Sequence, residues 1–199
     1  MKKLLSIVFI TVATIGFAQP GKKGKGPAMA PELVPGYYVT AKGDTVKGDI
    51  QTNLENEGDL YRSINFFPKG ATKVTVVTSK KARAYGFGDN HFVASNIAGQ
   101  EEIYLKYMAK GRLNFMEFKY ASDGAIVADY FIQDSKADEA NKDLRELKKL
   151  NPKFYKKELK PYMKDQPMIH DDLDKFTFTP AKVANSIREY NRFYEGATE

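Results

Sequence analysis

From Gly36 to Gln133 apolar and polar residues alternate with a period of two, and the apolar members are largely β-branched or aromatic. Such alternation turns one face of each segment to a core and the other to water, the pattern of half-buried strands. It predicts nine strands, at about 37–41, 45–53, 61–67, 73–78, 82–87, 92–97, 103–110, 113–120 and 126–132. Between them lie Gly43-Asp44, Gly58-Asp59, Lys69-Gly70, Gly88-Asp89-Asn90 and Ser122-Asp123-Gly124. Each offers a residue that tolerates the positive φ of a tight turn. Short strands joined by tight turns pair antiparallel, as a meander, a sandwich or a partly open barrel. In the opening stretch GYYVTAKGDTVKGDI a strand follows Gly43-Asp44, where a phosphate-binding loop requires a helix. It reads as a hairpin.

From Ser135 the spacing becomes helical. Ser135 suits an N-cap, and Ala137, Ala140, Leu144, Leu147 and Leu150 recur at intervals of three and four. A second helix is expected from Asn151-Pro152, with the stripe Tyr155, Leu159, Tyr162 and a break at Pro161. Pro167 opens a short helix, and a last one starts at Thr179-Pro180 with the stripe Val183, Ile187, Tyr190, Tyr194. The fold class is therefore α+β: an antiparallel β domain over 36–134, then a helical C-terminal region over 135–199 that packs on it.

The residues ahead of this pattern set the expected compartment. Lys2 and Lys3 precede an apolar run from Leu4 to Ile15, and Gly16 and Ala18 are the small residues of a cleavage site. A run that short fits a secretory signal over 1–18 rather than a membrane span, which needs about 20 apolar residues. Residues 19–35, rich in Gly, Pro and Lys, read as a disordered leader. The chain is thus expected to be exported, periplasmic or associated with the outer surface, with no transmembrane segment after the signal. It contains no cysteine, which excludes thiolate catalysis, cysteine metal sites and disulfides, so a hydrophobic core must hold it.

The net charge of +6 is unevenly spread. Residues 36–135 hold 12 basic and 12 acidic residues, 136–164 hold 10 against 5, and 165–199 hold 4 against 7. One basic stretch stands out, with Lys148, Lys149, Lys153, Lys156, Lys157 and Lys160 interleaved with Phe154, Tyr155 and Tyr162. The aromatics fall at core spacing and an exported chain rarely meets nucleic acid, so no nucleic-acid partner is expected. The lysines are either a solvated face or a surface for anionic lipid, lipopolysaccharide or an acidic partner. Lys148, Lys149, Lys153, Lys156 and Lys157 are the candidate contacts.

Two histidine-bearing groups carry side chains suited to chemistry. His170-Asp171-Asp172, with Asp174 nearby, has metal-binding side chains but no second histidine at ligand spacing. Asp89-Asn90-His91 lacks the nucleophile and oxyanion hole of a triad and reads as turn chemistry. No metal, cofactor or catalytic residue is expected. Many of the 13 Phe and 12 Tyr belong to the core, and without Trp a sugar-stacking platform is weak.

Several strings carry a resemblance. Gly36-Tyr37-Tyr38-Val39 precedes the hairpin string Gly43-Asp44-Thr45-Val46-Lys47-Gly48-Asp49-Ile50; Ala84-Tyr85-Gly86-Phe87 and Met108-Ala109-Lys110-Gly111-Arg112-Leu113 follow. Asp165-Gln166-Pro167 and Tyr190-Asn191 mark the tail. Together they resemble a family of uncharacterised secreted proteins of Gram-negative envelopes, in which Gln166 stands where members often carry a cysteine. The resemblance implies a periplasmic or surface location and no established activity. The expected function is a non-catalytic envelope protein that binds or scaffolds a protein, a glycan or an anionic lipid surface. The alternative is a hydrolase with an Asp/His site in a cleft between sheet and helices.

Overall fold

The computed structural model describes residues 32–54, 56–71, 73–97, 100–136 and 146–195. The signal segment 1–18, most of the leader, and Ala137, Ala140 and Leu144 lie outside the described residues. Ten strands form one open antiparallel sheet: β1 Leu33–Thr40, β2 Thr45–Gln51, β3 Ser63–Pro68, β4 Thr75–Thr78 and β5 Ala82–Phe87 come first. β6 Asn90–Ile97, β7 Gln100–Ala109, β8 Leu113–Ser122, β9 Ala125–Asp134 and β10 Lys148–Leu150 follow. Among the described residues three α-helices complete it, α1 Tyr155–Leu159, α2 Pro167–Asp172 and α3 Pro180–Glu195. All nine strands expected from the alternation are present, and the architecture is α+β.

The strand order is β10-β9-β8-β7-β6-β5-β1-β2-β3-β4, so neighbours in sequence are neighbours in space except that β5 pairs with β1 rather than β4. One register line crosses eight strands through Leu150, Tyr130, Glu117, Lys106, Phe92, Tyr85, Tyr38 and Val46. Where it crosses β5 and β6, Tyr85 and Phe92 stack at 4.4 Å.

The sheet serves two cores. Ile50, Tyr61, Phe66, Tyr85, Tyr104 and Phe118 anchor the first. Leu113 and Phe115 of β8 and Ile132 of β9 meet Leu159, Leu173, Val183 and Ile187 of the helical region in the second. β8 divides its side chains between them, sending Met116 and Phe118 to the first core and Leu113 and Phe115 to the second. That double burial explains a run from Leu113 to Phe118 with no exposed position.

Four expectations are corrected. Leu33, Val34 and Pro35 are not the end of a leader but the start of β1, where Val34 pairs with Ile50. Lys148–Leu150 do not close a first helix; they add β10 to the outer edge of β9, burying Leu150 beside Tyr130. Asn151 does not cap α1; its side chain accepts the Lys153 N–H at 2.9 Å in a turn, and Phe154 takes the cap position. Two local signals hold. Gly43 has φ +105°, and Thr179 Oγ1 accepts the Lys182 N–H at 3.3 Å to open α3. Gly58 departs from the turn expectation, since it lies in a 3-10 turn (Glu57–Tyr61) capped by Asn56.

Candidate functional site

The lysine-bearing surface is built on β10, the following turn and α1. α1 is fixed from beneath: Tyr155 and Leu159 are buried, and the Tyr155 hydroxyl donates to the backbone carbonyls of Leu173 and Phe176. Its remaining positions therefore face outward. The structure divides the candidate lysines by their partners. Lys149 is paired with Asp129 at 2.6 Å. Lys156 donates to the Asp174 carbonyl at 3.1 Å and lies over the Tyr155 ring at 5.9 Å. Lys160 pairs with Asp174 at 2.8 Å, and this hydrogen bond holds the Asp174 carboxyl below the usual carboxylate range. Lys148 is exposed on β10.

Lys153 and Lys157 are exposed and have no side-chain partner among the described residues. Between them sits Phe154, 57% exposed. The nearby carboxylate of Glu158 is already engaged, accepting the Asn151 N–H at 2.7 Å. The result is an exposed phenyl ring with one unneutralised lysine just before it in the chain and another three residues after it. Phe154 was visible in the sequence only as one aromatic among several at core spacing. Its exposure follows from the turn before α1, which the stripe rule does not foresee.

The histidines are placed apart from each other's partners. His91 Nδ1 meets the Tyr37 hydroxyl at 3.0 Å across the sheet, and His170 Nδ1 meets Asp171 at 2.9 Å on α2. Among the described residues no cluster of three or more His, Asp or Glu is disposed to hold a metal. A cleft of about 480 Å³ lies between α2 and α3, lined by Met168, Ile169, Asp172, Glu189, Arg192 and Phe193. Neither histidine lines it.

Two polar assemblies escaped the sequence reading. In the first core Glu117, buried, accepts the Tyr61 hydroxyl at 2.5 Å and lies 3.8 Å from Lys119, which also pairs with Glu57 at 2.7 Å. Burial and the Glu117 hydrogen bond push the Tyr61 hydroxyl well above its ordinary pKa. The second joins three of the strings noted in the sequence. Asn191 of α3 accepts the Leu113 N–H and donates to the Leu113 carbonyl, both at 2.9 Å. Asp165 accepts from the hydroxyls of Tyr190 and Tyr194 and lies 3.4 Å from Arg112. The Arg112 guanidinium stacks over Tyr194 at 4.2 Å. This assembly locks α3 to the β7–β8 hairpin; its residues are spent on one another. No protein-family model, curated protein or solved structure matches the chain.

Proposed function

We propose that the protein is an exported, non-catalytic envelope protein that binds an anionic lipid surface through the face formed by Lys148, Lys153, Phe154 and Lys157. The observation that carries this reading is Phe154, exposed between two lysines that no described carboxylate neutralises. An exposed ring flanked by cations suits a membrane interface, where the ring enters the headgroup boundary and the ammonium groups meet phosphates. The net basic charge of residues 136–164 adds long-range attraction, and the signal-like opening and the family resemblance agree with an envelope location.

Co-sedimentation with phosphatidylglycerol-containing vesicles tests it. The protein is expected to bind these, to bind pure phosphatidylcholine vesicles far less, and to release as salt rises. Each lysine near an anionic surface contributes about 1 kcal/mol, so Lys153→Gln with Lys157→Gln should weaken binding about 30-fold. Phe154→Ser should weaken it further at high salt, where only the apolar contribution survives. Equal binding to neutral and anionic vesicles, or no response to these substitutions, overturns the reading.

A further inference from the structure

β4 ends the sheet, and among the described residues β3 is its only strand neighbour. Its outer side is apolar and open: Val74 is 50% and Val76 47% exposed, while Val77, next along the strand, is buried in the first core. An edge strand offers unused backbone groups to any extended chain, and natural sheets commonly guard such edges with charge. Here the guard is specific. The Lys81 ammonium donates to the Val76 carbonyl at 3.2 Å, and the Lys81 N–H takes the Thr78 carbonyl at 2.9 Å. Both carbonyls alternate along the strand on the side away from β3, so Lys81 occupies the edge with its own donors.

The stretch Lys69 to Lys81 carries Lys69, Lys73, Lys80 and Lys81 and no acidic residue. Two of these lysines stand before the strand and two after it. The described carboxylate paired at this end is Glu102, 2.6 Å from Lys80. Lys69 and Lys73 are exposed and without partners among the described residues. A second copy of β4 laid on this edge, parallel or antiparallel, brings lysines against lysines at both ends. Self-pairing is thereby opposed.

We infer that the β4 edge receives an extended acidic peptide segment by strand addition, its carboxylates meeting Lys73 and exchanging with Glu102 at Lys80, and its backbone displacing Lys81 from the Val76 carbonyl. The displaced ammonium is then free to pair with a carboxylate of the incoming strand, so the contact that blocks neutral chains is exchanged for one that favours acidic ones. Apolar residues in the segment cover Val74 and Val76. The strand supplies affinity through main-chain hydrogen bonds, and the lysines supply the choice of partner.

The test uses the full chain and short labelled peptides of alternating Val and Thr, ended by Glu, ended by Lys, or ended by Glu with a central Pro. The Glu-ended peptide is expected to bind and to slow hydrogen exchange at the Val76 amide. The Lys-ended peptide should bind at least about tenfold more weakly, since several exposed charge pairs change sign together. The Pro peptide, which cannot complete the ladder, should lose the exchange protection. In Lys73→Glu with Lys80→Glu the charge preference should reverse, which a loss of folding would not produce. Binding indifferent to the Pro or to the charge swap overturns the proposal. So does self-association in sedimentation that Val76→Lys abolishes, because the occupant is then a second copy.

Discussion

Asn191 bonds one buried residue twice. Its amide satisfies both backbone groups of Leu113, a residue buried where water cannot replace the bonds. Asn191→Ala leaves a buried N–H and a buried carbonyl unpaired, each costing about 1–3 kcal/mol. A loss of about 2–4 kcal/mol in chemical denaturation is expected. Gly111 is the other half of the fit, since a Cβ there would lie 2.5 Å from Asn191 Cγ. Gly111→Ala should destabilise the parent clearly and the Asn191→Ala variant less, because Asn191 Cγ and Nδ2, each 2.5 Å from the new Cβ, are gone while Asn191 Cβ at 2.9 Å remains. A double-mutant cycle measures that coupling. Additive costs would mean that Asn191 is not what forbids the Cβ.

Among the elements the β1–β2 hairpin rests on its turn. Gly43 N–H donates to the Thr40 carbonyl at 3.0 Å and Thr40 N–H to the Asp44 carbonyl at 2.8 Å, with Gly43 at φ +105°. Gly43→Val demands that conformation of a β-branched residue and should cost about 1 kcal/mol or more. An unchanged urea midpoint would show the turn to be tolerant. Strands such as β1–β3 and β5–β9 were legible because one buried face imposes a strict period of two. β10 was not. Leu144, Leu147 and Leu150 imitate a helical stripe, whereas the pull toward β9 comes from Asp129 and Tyr130, some twenty residues earlier. The candidate lysines were likewise readable as a cluster, but their division was not. The carboxylates that neutralise Lys149 and Lys160 lie on β9 and after α2, distances that local spacing does not encode. The α3 lock was invisible for the same reason: its strings were each noted, and only the fold brings them together.

At the scale of the whole molecule, much of the interior is phenolic. Burial pushes the hydroxyls of Tyr61, Tyr85, Tyr104 and Tyr190 above their ordinary value of 10.0. A raised pKa means the folded state resists ionisation, so this stability is complete below pH 10 and is withdrawn as the pH climbs beyond it. Tyrosinate absorbance should rise in two phases, exposed rings first and buried rings only with loss of the circular dichroism of the fold. A single reversible phase with the fold intact would contradict the burial of these rings. The seam between β5 and β1 governs something different, the order of events in time. β1–β4 is a run of neighbouring hairpins and β5–β9 is another, and each assembles from contacts close in the chain. Among the strand pairings of the described residues, that of β1 with β5, as in Thr40 with Ala82 and Tyr38 with Tyr85, is the one that returns across three intervening strands. Closing that loop carries the larger entropic cost, so the seam is the slow step of assembly. During synthesis the first meander emerges with one flank of β1 vacant, and it must wait for β5 to arrive before either half can settle.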